Sequence, residues 1–341
     1  MGTIQLPFLP EDQRMNRRTA LYDLAMEHGL DAETLHRLEH LAGLDAEPDG
    51  LARRLPRAVA MLGAALIGLG VILWVAANWD AWGRLGQFAL LQGLVLALCL
   101  GALARAEARA PLGLLALLAV GGLLAYFGQT YQTGADPWQL FALWAGLCLP
   151  LCLAGRSDVL WAAWVLVAMT GITLWVQAHT GRTWRLEPLD LSVHLTAWGL
   201  AAALVVGVSP ALGRLTGAGP WALRMAITLA VILVTLTALA GLFNNVLGQH
   251  YWLGLLTLAA AATVLALPRA FEVSALSAVA LGLNTLVVAG LVHWIFDDYH
   301  GGDPIGQLLT IGLAAAGCLA ASVSAILTLA RRYGHGGDDH V

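Results

Sequence analysis

Ten apolar runs govern what this chain can fold into. They lie at about 58–78, 85–104, 112–129, 138–154, 157–176, 190–208, 221–243, 250–267, 271–294 and 306–329, each near the ~20 residues that a helix needs to cross a bilayer core. Composition agrees: 59% of the 341 residues are hydrophobic and only 12% are charged, too little charge to cover a soluble domain of this size. The expected fold is therefore all-α, a polytopic transmembrane helical bundle of about ten spans over residues 57–330. A head and linker (1–56) precede it and a short tail (331–341) follows. The first apolar run begins only after a polar head, which is not the pattern of a cleavable signal peptide.

The head reads as a helical hairpin. One helix runs from Arg14 to His28 and can end in a left-handed cap at Gly29. Asp31 then caps a second, which reaches Leu41 with Leu35, Leu38 and Leu41 as its apolar stripe. Two short helices suggest a DNA-binding pair, but residues 1–50 hold ten acids against four arginines, the wrong sign for a phosphate surface. Nucleic acid is excluded as a partner, and residues 1–45 are expected to dock a cytoplasmic protein instead.

All 18 basic residues are arginine, so arginine placement sets the orientation. With the head inside, fifteen arginines lie on the cytoplasmic side and Arg84, Arg182 and Arg185 on the other. Cytoplasmic loops carry such an excess. Both termini are expected in the cytoplasm, and the protein in a bacterial inner membrane.

That orientation gathers the unusual polar sequence on the outer side. Asn78, Trp79 and Asp80 lie in the first outer loop, Gln129, Tyr131, Gln132, Asp136 and Trp138 in the second, and Asn244 and His250 in the fourth. Together they form the expected ligand-binding set. Gln129, Gln132 and Thr133 share a face if their helix continues, and Asp136-Pro137 reads as a capping carboxylate followed by a proline at the first helical position. The tryptophans near this boundary also suit an interfacial belt.

His293 and Asp297, spaced i, i+4, with His300 following, are the candidate metal ligands. Imidazole plus carboxylate suits a divalent ion, and His250 lies in the neighbouring outer loop. No His-Glu-x-x-His is present, so no cofactor is expected unless those residues hold a metal. The chain also lacks a nucleophile elbow, a phosphate loop and a dinucleotide fingerprint. Cys148 and Cys152 share a helix face and read as packing residues. Gln92 and Asn284, near the middles of their spans, are expected to face the interior and bond across helices. Arg224 can snorkel to the cytoplasmic edge, and Glu272 can reach water there.

Two motifs carry a family resemblance. They are Leu-Gly-Val-Ile-Leu-Trp-Val-Ala-Ala-Asn-Trp-Asp at 69–80 and Phe-Gly-Gln-Thr-Tyr-Gln-Thr-Gly-Ala-Asp-Pro-Trp at 127–138. With the helical head they resemble a group of predicted bacterial inner-membrane proteins defined by domain of unknown function 2157, over about the first 150 residues. The resemblance implies a bacterial inner membrane and marks Asn78, Trp79, Asp80, Gln129, Tyr131, Gln132, Asp136 and Trp138. It supplies no activity.

Three functions remain open at this point. The first is a transporter or binding component for a periplasmic solute or lipid. The second is a membrane enzyme, metal-assisted through His250, His293 and Asp297, acting on a periplasmic or lipid-linked substrate. The third is a non-catalytic assembly or sensory scaffold. Without a catalytic motif the non-enzymatic readings rank first. Membrane lipids and a periplasmic ligand are the other expected partners.

Overall fold

A computed structural model describes residues 11–41, 51–77, 81–131, 134, 136–181, 190–242, 248–268, 270–298 and 303–334. These residues form thirteen α-helices and no strand. They fall into two compact units, 1–78 and 79–341.

In the first unit, α1 (Glu11–His28) and α2 (Ala32–Leu41) pack on each other as the expected hairpin. Gly29 between them takes φ +59°, a conformation free of Cβ strain only for glycine. The Asp31 side chain accepts the Thr34 N–H at 3.1 Å. Hydrogen bonds from the Thr34 hydroxyl and N–H hold the Asp31 carboxyl below its usual range. α3 (Leu51–Ala77) is one helix of 27 residues running through Pro56, so Arg53, Arg54 and Arg57 ride on its first turns.

The second unit contains α4 (Gly83–Ala104), α5 (Arg109–Tyr131), α6 (Pro137–Gly155), α7 (Asp158–Thr180), α8 (Leu191–Gly207), the four-residue α9 (Gly213–Thr216), α10 (Pro220–Leu242), α11 (Gln249–Leu265), α12 (Val273–His293) and α13 (Pro304–Gly334). Each expected span falls on one of the longer helices. Seven of them, α4–α7, α10, α12 and α13, are long and apolar enough to cross a membrane. α8 is apolar but has 17 residues, and α11 also has 17.

α7 and α10 form the spine of this unit. α7 packs on α5, α6, α8 and α10, and α10 packs on α7, α8, α11 and α12. Half of α10's apolar window and 44% of α7's are buried, against none of α13's. Lipid tails are as apolar as leucine, so association rests on close packing and cross-helix hydrogen bonds. Tryptophans supply many of the bonds here. Trp144 and Trp164 donate their indole N–H groups to the carbonyls of Leu117 and Ala145, both at 2.8 Å, and Trp198 donates to Thr237 Oγ1 at 3.0 Å. A Cβ at Gly121 would overlap the Trp144 ring, so that glycine sets how closely α5 and α6 approach.

At the arginine-rich end, Asp158 opens α7 and caps its neighbour α10. Its carboxylate accepts the N–H groups of Gly219, Trp221 and Ala222 at 3.1, 2.9 and 2.8 Å. Pro220 has no N–H to satisfy, so this side chain answers the free donors of α10's first turn. Trp161 donates to the Thr216 carbonyl at 2.8 Å, and Arg156 to that of Arg214 at 2.6 Å. Arg224 and Glu272 both stay partly exposed. They pair with each other at 2.9 Å, and Glu272 also caps α12 through Ala275 N–H.

Of the two expected interior amides, Asn284 bonds across helices, its Oδ1 accepting from Ser322 Oγ at 3.1 Å. Gln92 does not: it is exposed on α4. Gln87 is the buried amide of that helix and accepts the Tyr126 hydroxyl. The two positions are five residues apart, which puts them on different faces of a 3.6-residue helix. Depth along the helix alone therefore did not identify the buried one. Cys148 and Cys152 are free thiols in the core, packed as expected.

Candidate functional site

One face of α7 carries Thr170, Thr173, Gln177 and Thr180, a spacing that lines residues up along a helix. This polar stripe looks across a cleft of about 360 Å³ onto the leucine-rich face of α10, with Leu166 at the far end. The volume lies toward the small end of the ~300–1,000 Å³ typical of ligand sites. The hydroxyls of Thr170, Thr173 and Thr180 donate back to Leu166, Met169 and Val176 at 2.7, 3.0 and 2.9 Å. The oxygens of Thr170 and Thr173 keep acceptor capacity, while the exposed Gln177 amide adds two donors.

His194 closes the cleft. It stands one turn into α8 with 2% of its surface exposed, and neither Nδ1 nor Nε2 has a hydrogen-bond partner among the described residues. His250, the second residue of α11, meets it edge-on with ring centroids 5.2 Å apart and planes at 85°. His250 is 4% exposed, and its Nε2 is likewise unpartnered among the described residues. Asp190, at the α8 N-cap, is a carboxylate whose charge acts on both rings. Leaving a buried polar group unbonded costs about 1–3 kcal/mol. Three such nitrogens side by side therefore mark a place where packing has not been optimised for stability alone.

Tyr131, of the expected ligand set, packs on Phe88 and Phe127 with centroids 5.9 and 4.8 Å away, and Gln129 is exposed near the end of α5. Asp136 precedes α6 as expected, and Pro137 is its first residue, but the carboxylate makes no capping hydrogen bond and is exposed. The Trp138 ring lies 6.2 Å from His179, and its buried indole N–H has no partner among the described residues. These four belong to the α4–α7 side of the arginine-poor end, whereas His250 belongs to the α8–α11 side. None of the five lines the cleft. Asn78, Trp79, Asp80, Gln132 and Asn244 lie outside the described residues.

Of the candidate metal ligands, His293 ends α12, while His300 and the side chain of Asp297 lie outside the described residues. Trp294–Asp298 forms a π turn, in which i+5 rather than i+4 closes the hydrogen bond, so the α-helical i, i+4 register does not carry past His293. Among the described residues no three His, Cys, Asp or Glu side chains are grouped to hold a metal ion.

Fold and cleft together define a polytopic α-helical membrane protein with a ligand-sized recess at its arginine-poor end. Residues 22–161 match the model of the family described as predicted membrane protein (DUF2157), the segment in which the motifs at 69–80 and 127–138 carry the resemblance. No curated protein and no solved structure matches the chain. The cleft, built from residues 166–240, lies outside the matched segment.

Proposed function

We propose that this chain is a binding or transport component for a solute or lipid at the periplasmic side of a bacterial inner membrane, with both termini cytoplasmic. His194 is the observation that carries the reading. A histidine this deeply buried, with neither nitrogen partnered among the described residues and standing in the lining of an open cleft, suits a partner that arrives from outside the fold. The cleft lies in the half of the bundle that arginine counting assigns to the periplasmic side.

The test is retention. The full chain is extracted into native-lipid nanodiscs and the molecules that co-purify are identified by mass spectrometry. Wild type should hold one species near one per chain, and Thr173→Trp, which fills the cleft, should hold none. A wild-type chain that retains nothing, or a Thr173→Trp chain that retains it equally, rejects the reading.

A further inference from the structure

The cleft's dimensions and chemistry narrow the ligand class, an inference that rests on the cleft being the binding site. Leu166 to Thr180 is fourteen rises along α7, or ~21 Å at 1.5 Å per residue. Spread over that length, a volume of about 360 Å³ gives a mean section of ~17 Å². That section is the room left to atom centres; adding a radius of ~1.4 Å on each side puts the walls of this slot ~7 Å apart, room for one file of methylenes, since a second file would need another ~4 Å. The slot is open along its side: Leu166, Ile232 and Leu236 on its rims are 50%, 46% and 49% exposed. In a bilayer those rims face acyl chains, so a chain can enter sideways from the membrane.

The polar end is equally specific. No charged side chain lines the cleft among the described residues, and an ionised phosphate placed there would lose its hydration with nothing to pair against. An uncharged imidazole offers one donor and one acceptor. A hydroxyl can donate to or accept from whichever ring nitrogen it meets, with the Gln177 amide at hand for a second group. We infer that the occupant is a single-chain amphiphile with an uncharged, hydroxyl-bearing head, the head at His194 and Gln177 and the chain laid along the slot toward Leu166.

Full-length protein in phosphatidylcholine nanodiscs is titrated with monooleoylglycerol, with oleoyl lysophosphatidic acid, and with glycerol alone, reading the thermal midpoint. Monooleoylglycerol should raise the midpoint and half-saturate at a mole fraction at least tenfold below that of lysophosphatidic acid, while glycerol does nothing. Thr173→Trp should abolish the response, as should Leu236→Trp on the facing wall, which guards against one variant folding poorly. Lysophosphatidic acid acting as well as or better than monooleoylglycerol overturns the uncharged head, and a response to glycerol overturns the chain. If no probe acts while native nanodiscs still retain a molecule that Thr173→Trp loses, the ligand class is wrong and the cleft is still a site. If nothing is retained either, the binding reading itself has failed.

Discussion

His194 and Asp158 show two opposite uses of a polar side chain inside an apolar bundle. Asp158 is fully engaged, its carboxylate shared by three N–H groups at the start of α10, and its removal should be felt as lost stability. Asp158→Ala is expected to cost about 1–2 kcal/mol, the range for a helix cap, with Asp158→Asn recovering part of it; chemical denaturation in detergent measures both. His194 has no hydrogen-bond partner among the described residues, so stability should respond the other way. His194→Leu should leave the midpoint unchanged or raise it, by up to the ~1–3 kcal/mol that an unbonded buried group costs, while ligand retention is lost. A large fall in stability would mean that the imidazole holds the fold together. Neither residue stood out in the sequence. Asp158 looks like any charge at the edge of a span, and only the fold shows that its target is a helix 61 to 64 residues away.

Among the helices, the contact between α5 and α6 depends on one side chain having no Cβ. Gly121→Ala should force the Trp144 ring off its seat and endanger its bond to Leu117. Combined with Trp144→Leu the loss should be partly recovered, a coupling of about 1 kcal/mol or more in a double-mutant cycle. At the arginine-rich end, α10 and α12 are tied by Arg224 and Glu272. Burial opposes ionisation of Glu272, but hydrogen bonds from Ser274, Ala275 and Arg224 outweigh it and hold the carboxyl below its ordinary 4.5. A carboxyl depressed in the folded state gives stability that is present above pH 4.5 and is lost as pH falls through the folded-state value. Wild type should therefore lose more stability than Glu272→Gln on acidification below pH 4.5, measured as the difference between their midpoints. The helices themselves were legible, because an apolar run of bilayer length leaves few other structures open. The polar stripe was legible in principle, since Thr170, Thr173, Gln177 and Thr180 keep helical spacing. It was masked by the hydropathy around it. The His194–His250 contact was not, because it joins two helices 56 positions apart and depends on how α8 and α11 lean on α10.

For the molecule as a whole, the expectation with most reach is orientation. A cysteine at the exposed Gln129 position should react with an impermeant maleimide added to intact cells, and a reporter fused after Val341 should stay inside. The reverse pattern would turn the cleft toward the cytoplasm. The chain divides into units 1–78 and 79–341, so deleting residues 1–45, which lie within the first, should leave membrane insertion and the midpoint of the second unit unchanged. The side opening of the cleft also decides how occupancy scales. A guest admitted through the rims at Leu166 and Leu236 is dosed by its mole fraction in the surrounding lipid. Diluting nanodiscs with buffer should leave such a guest in place, whereas fusing them with empty bilayer should drain it.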